Sequence, residues 1–186
     1  MNGFPVHTLD SAPADSRASL EALQGAFGMI PNIAGAMATS PVLIGCLTGL
    51  FGKVHGGSFA ENQLQVVLLT DAVTNASPWA VAFHSALALQ EGVSATDIDA
   101  IRAGQLPKDS QLAALSALAR TLIETRGHLS REDTERFLST GFNRSHLLEV
   151  IAIVAASTIT NYTASVTHPP LEEAFAQHAW SQPAKG

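Results

Sequence analysis

The chain has 186 residues, 46% hydrophobic and only 14% charged, with a formal net charge of −6. That length suits one domain with a sizeable core. The absence of a basic patch excludes nucleic acid as the expected partner, and the lone Cys46 excludes an internal disulfide or a dithiol site.

In chain order, MNGFPVHTLDSAPADS has neither a basic start nor an apolar core, so no signal peptide is expected and a cytoplasmic location is the default. Leu20, Leu23 and Phe27 share a helical face in SLEALQGAFG. Pro31 and Pro41 punctuate the next stretch, predicting a short helix over 32–39 and a longer one over 42–55. Gly56 and Gly57 then break the chain. Helices are predicted over 61–74, 78–91, 95–103, 110–125, 131–140 and 144–162, with a short piece over 171–178. Ser94 with Asp97 and Ser130 with Asp133 fit capping boxes, and Gly92, Gly104 and Gly141 come after apolar helical runs as stop signals.

No strand is expected, so the fold class is all-α. The apolar run LLEVIAIVAASTIT contains Glu149 and is too short to span a bilayer, so no membrane partner is expected. Leu64-Gln65-Val66 and Leu148-Glu149-Val150 head similar helices, and each is succeeded by Thr-Asn and then His at nearly constant offset. This echo allows a weak helix-hairpin repeat or chance matching of alanine-rich helices.

The stretch TNASPWAVAFHSA holds the candidate chemistry. Its frame, Asn75-Ala76-Ser77-Pro78-Trp79-Ala80-Val81-Ala82-Phe83-His84, resembles the core hairpin of the carboxymuconolactone decarboxylase and alkylhydroperoxidase D family. The peroxidases of that family carry Asn-small-Cys-x-aromatic-Cys-x-x-x-His, with a Glu twelve residues before the first Cys. In the present chain Ser77 and Ala80 stand at the two cysteine positions, Gln65 stands at the glutamate position, and His84 alone is retained. FGMIPNIAGAMATSPVLI and the helices after His84 resemble the longer peroxidase-related branch, so the likeness covers nearly the whole chain.

The resemblance implies an alkylhydroperoxidase D-like helical fold built around a helix hairpin. One domain would span 1–186: N-terminal helices over 1–57, a core hairpin region over 58–104, C-terminal helices over 105–178 and a frayed tail over 179–186. It also implies a homo-oligomer, a trimer, hexamer or dimer, and the low charge fits apolar surface covered by another subunit. Peroxidase activity is not carried over. A serine hydroxyl at a helix start stays protonated and can form neither a sulfenate nor a disulfide.

Three readings of the site remain open. His84, with Gln65 and Ser77 at the other motif positions, could belong to a cysteine-free acid–base enzyme acting on a small acidic or lactone-like substrate. The pocket would then be lined by Gln65, Asp71 and Trp79. The chain could instead be a non-catalytic relative that binds a small molecule or a partner. Residual peroxidase activity is the third reading, and the residues do not support it.

Ser77 as an ordinary N-cap before Pro78 is the plainer reading of that residue. Ser77 and His84 lie ~10 Å apart along a helix axis, too far for a nucleophile–base pair. No Arg or Lys lies between Gln65 and Glu91 to hold a carboxylate, so Arg102 or Arg120 would have to fold in. Asp71 either pairs with His84 or faces solvent or caps a neighbouring helix, the second being favoured. Cys46 reads as a small buried hydrophobe. No histidine or carboxylate pair has metal-ligand spacing, and no cofactor is expected.

Overall fold

The structure, a computed structural model, describes residues 3–182. Among these residues nine α-helices form and no strand does. They are α1 (Ala14–Phe27), α2 (Asn32–Met37), α3 (Pro41–Val54), α4 (Glu61–Thr74), α5 (Pro78–Gln90), α6 (Ala95–Arg102), α7 (Ser110–Glu124), α8 (Arg131–Leu138) and α9 (Arg144–Thr167). A short 3₁₀ helix, Glu173–His178, comes last.

The start and stop signals act as the sequence indicated. Ser94 Oγ accepts from Asp97 N at 3.1 Å. Ser130 and Asp133 cap each other reciprocally, a device typically worth about 1 kcal/mol. Gly92, Gly104 and Gly141 each take a positive φ just past a helix end, where a side chain would strain the backbone.

The centre of the molecule is the α4–α5 hairpin, flanked by α6, α7 and α9. Helix α4 buries Leu64 and every residue from Val66 to Ala72. Helix α5 buries every residue from Trp79 to Ala86. A helix that is apolar all round belongs in the middle of a fold. One core cluster joins α1, α2, α3 and α5 around Leu20, Met37, Ile44 and Val81. A second joins α4, α7 and α9 around Leu68, Leu115 and Ile153, with Phe137 from α8.

Three expectations are revised. Helix α9 runs to Thr167, past the expected end, and by length and composition it could cross a membrane. It contacts α2, α3, α4, α5 and α7 along its length and buries Ser157 and Asn161, which is the placing of a core helix. The hairpin repeat also fails. Thr74 ends α4, whereas Thr160 and Asn161 lie inside α9, which continues without a turn. Finally, the expected fraying does not begin at 179. Arg102 donates to the carbonyls of His178 and Ala179, both at 2.9 Å, and Trp180 Nε1 donates to Arg102 O at 3.1 Å. The part of that tail over 183–186 lies outside the described residues.

The α3–α4 loop is held from the far side. Glu149 on α9 accepts from Ser58 N at 2.6 Å and from the Ser58 hydroxyl. A Cβ at Gly57 would collide with the Glu149 carboxylate, so the break at Gly56-Gly57 is also a docking point.

Candidate functional site

His84 sits on the inner face of α5 and is 2% exposed. Its partner is Gln65, across the hairpin on α4, with Nδ1 and Oε1 3.0 Å apart. A carbonyl oxygen only accepts, so Nδ1 carries the proton and Nε2 is left as a bare acceptor. Among the described residues Nε2 has no hydrogen-bond partner. Burial, with a smaller electrostatic contribution from nearby His55, brings the His84 pKa from 6.5 down to about 3. The ring is therefore neutral at any physiological pH. Two motif positions, Gln65 and His84, are thus brought together. An amide at the first cannot relay a proton as a carboxylate would.

Two cavities meet at His84. The inner one, about 40 Å³, is almost wholly apolar and is bordered by Phe27, Leu47, Trp79 and Phe83. The outer one, about 300 Å³, is bordered by His55, Glu61, Gln65, Glu91 and Phe175. Phe27, Phe51, Phe83 and His84 border both. Phe83 organises this wall. Its ring stacks on Trp79 at 4.9 Å and meets Phe27 and Phe175 edge-on at 5.3 and 5.2 Å, pairs worth about 0.5–1.5 kcal/mol each beyond burial.

Trp79 is pinned by its indole. Nε1 donates to Glu172 Oε2 at 3.0 Å, and Glu172 Oε1 accepts from Asn32 N at 2.6 Å. Glu172 is itself buried, so this is a charged acceptor shielded from water with two donors aimed at it. The 3₁₀ helix after Glu172 carries Phe175 to the cavity wall.

The other expected site residues are placed elsewhere. Asp71 borders neither cavity, does not pair with His84, and neither faces solvent nor caps a helix. It is fully buried in the α4–α9 contact, and among the described residues both carboxylate oxygens lack a partner. Burial raises its pKa well above the ordinary value. The Ser157 hydroxyl opposes the rise only in part and stays outside hydrogen-bond geometry. The expectation of a solvent-facing Asp71 fails because α4 has no solvent face at that depth. The all-round apolar sequence VVLLTDAV was the available signal.

Ser77 occupies the N-cap position before Pro78, but its buried hydroxyl makes no capping bond and has no partner. It too borders neither cavity. Cys46 is exposed on α3 rather than buried, because no other element packs on that side of the helix, where Gly45 and Gly49 are exposed too and a Cβ on either would meet nothing within 4 Å. Arg102 does not fold in towards His84; it is spent on Ser85 Oγ and the chain near Ala179. Arg120 borders neither cavity. No cluster of three or more His, Cys, Asp or Glu able to hold a metal occurs among the described residues.

Sequence reasoning missed His55 and Glu61. His55 caps the C-terminus of α3, and Glu61 opens α4. His55 Nδ1 lies 3.0 and 3.1 Å from the two Glu61 oxygens. The glycine break between them suggested only a loop. A His and a Glu flanking a tight turn were the signal.

The helices packed around this hairpin form an alkylhydroperoxidase D-like all-helical fold. No family model and no curated protein matches the sequence. Solved structures do. The chain is similar to the alkylhydroperoxidase D core of an uncharacterized peroxidase-related protein from Ralstonia eutropha JMP134, with a TM-score of 0.82 and 17% identity over 92% of this chain and 93% of that one. It is similar to a variant of the debrominase Bmp8 in complex with 2,3,4-tribromopyrrole, with a TM-score of 0.79 and 16% identity over 96% and 95%. A peroxidase-related protein from Silicibacter sp. TM1040 gives a TM-score of 0.76 and 17% identity over 94% and 95%. Such identities establish the fold. Within it this chain has one exposed cysteine and no Cys-x-x-Cys.

Proposed function

We propose that the protein is a cysteine-free acid–base enzyme acting on a small, neutral, lactone-like substrate at the junction of the two cavities. The observation that supports this is the bare Nε2 of His84, fixed by Gln65 and bordering both cavities. Such an acceptor suits a ligand with an apolar ring and an O–H or N–H donor. A neutral substrate fits better than an acidic one. Among the described residues no Arg or Lys borders either cavity, and Glu61 and Glu91 border the outer one. The tribromopyrrole bound by the debrominase neighbour is a small ring with an N–H, the same ligand chemistry. The second reading, a binding protein without turnover, is favoured by the weak basicity of His84.

Titration with 7-hydroxy-3,4-dihydrocoumarin, a neutral aromatic lactone that carries a phenolic O–H for Nε2, tests the reading. Heat of binding with ring-opened product supports the enzyme, and heat without product supports the binder. His84→Leu weakens either by about tenfold or more, because the bound polar group loses its only acceptor. Equal affinity for the ring-opened carboxylate would overturn the choice of a neutral substrate. Hydroperoxide reduction with a dithiol is expected to stay at background, with or without Cys46→Ser.

We also propose that the chain self-associates through α9. Leu148, Ile151, Tyr162 and Val166 are exposed and recur at helical spacing, and Tyr162 and Val166 border a groove of about 290 Å³ with Phe4 and Leu43. Light scattering is expected to find an oligomer that the double variant Tyr162→Glu, Val166→Glu converts to monomer. A monomeric parent would refute this.

A further inference from the structure

The outer cavity holds a second imidazole that the Gln65–His84 motif does not include. We propose that His55, oriented by Glu61, is the group that takes the proton in this site, and that His84 holds the substrate without titrating. The proposal rests on the reading that a small neutral substrate occupies the cleft.

Geometry separates the two histidines. His55 Nδ1 faces both oxygens of a carboxylate, at 3.0 and 3.1 Å. A carboxylate only accepts, so Nδ1 carries the proton and Nε2 is free as a base. A proton taken at Nε2 leaves a cation beside the Glu61 carboxylate. His84 has only an amide for a partner, and a cation there would sit in a buried apolar wall. The His55 side chain is 35% exposed and that of Glu61 41%, so a captured proton can pass on to water. Phe51 stacks on His55 with centroids 5.8 Å apart, and the Glu149 clamp on Ser58 fixes the loop between His55 and Glu61.

Position argues for more than a surface ion pair. An exposed pair is worth only about 0–1 kcal/mol, and that explains a His–Glu contact anywhere on the surface. It does not explain why this pair borders the cavity that also contains Gln65 and His84. Glu61 and Gln65 stand one turn apart on α4, so each presents its own histidine partner to the same space. Among the described residues the titratable groups facing His55 across the cavity are Glu61, Glu91 and His84, with no Lys or Arg.

5-Nitrobenzisoxazole is a suitable probe, being a small, neutral aromatic whose ring opens on removal of one C–H proton. The base takes the C3 proton, the C–H electron pair becomes the new nitrile bond, the N–O bond breaks, and 2-cyano-4-nitrophenolate leaves as a coloured product. No oxidant or other reactant is needed. Binding is measured separately by tryptophan fluorescence.

The expected result is saturable turnover. His55→Asn lowers kcat about a hundredfold, within the range of a lost general base, and leaves binding intact. Glu61→Gln, which frees the imidazole to turn, lowers kcat about tenfold with binding intact, and Glu61→Asp restores it in part. Binding with a rate indifferent to His55→Asn or to Glu61→Gln overturns the inference alone. Failure of the probe to bind overturns the ligand reading and the inference with it.

Discussion

At pH 8 the variant Asp71→Asn is expected to be more stable than the parent, by about 1–3 kcal/mol, the usual cost of a buried polar group without a partner. Asp71 lies in the α4–α9 contact with two orphaned oxygens, and burial holds its pKa well above 3.8. A carboxyl whose pKa is raised on folding contributes stability that is complete below 3.8 and is lost as pH rises through the folded value. Neutral solution is therefore where Asp71 costs most. Asparagine has nearly the same size and cannot ionise. The advantage of Asp71→Asn should shrink on acidification and disappear below pH 3.8. Thermal melts at pH 8, 6 and 4 check this, and a gain of equal size at all three values would contradict it.

Acidification should act on His84 in the opposite sense. Its folded pKa is about 3 against 6.5 unfolded. A depressed value contributes stability that is complete above 6.5 and is lost as pH falls towards 3. The slope approaches about 1.4 kcal/mol per pH unit, or roughly 5 kcal/mol over the whole window. That is comparable with the total stability of a small protein, about 5–15 kcal/mol. In the parent chain Asp71 works against this slope above pH 3.8, so the two titrations partly cancel. Asp71→Asn should expose the full acid sensitivity of His84. Adding His84→Asn, which keeps a donor for Gln65, should flatten it. Urea unfolding at pH 7, 5.5 and 4.5 measures all three chains. Unchanged acid sensitivity in the double variant would show that other groups control it.

The two residues also mark how far the sequence could be read. The helices were legible because apolar spacing, proline starts and glycine stops agreed with one another, and α4 is bounded as expected at Glu61 and Thr74. The hairpin carrying His84 was legible from its frame of residues. The partner of His84 was not, because Gln65 meets it across two antiparallel helices and no fixed spacing encodes such a meeting. The same holds for His55 and Glu61, which belong to different helices and are joined through a loop clamped from α9. At Asp71 the charge suggested solvent, while its apolar neighbours, which decide its depth, pointed inward. At Cys46 the apolar neighbours pointed inward, but no other element packs on that side of α3, so the thiol reads as buried and is not.

The Glu172 anchor bears on how the site comes into being. Synthesis runs from the N-terminus, and early segments begin to fold as they emerge. The α4–α5 hairpin and its histidine leave the ribosome early, yet Glu172 fastens Trp79 and Phe175 supplies the outer wall. A nascent chain can therefore pair Gln65 with His84 well before it has a cleft. Ligand binding becomes available only as the last described turn is laid over the first helices, so the newborn chain passes through a stage with a formed motif and no finished site.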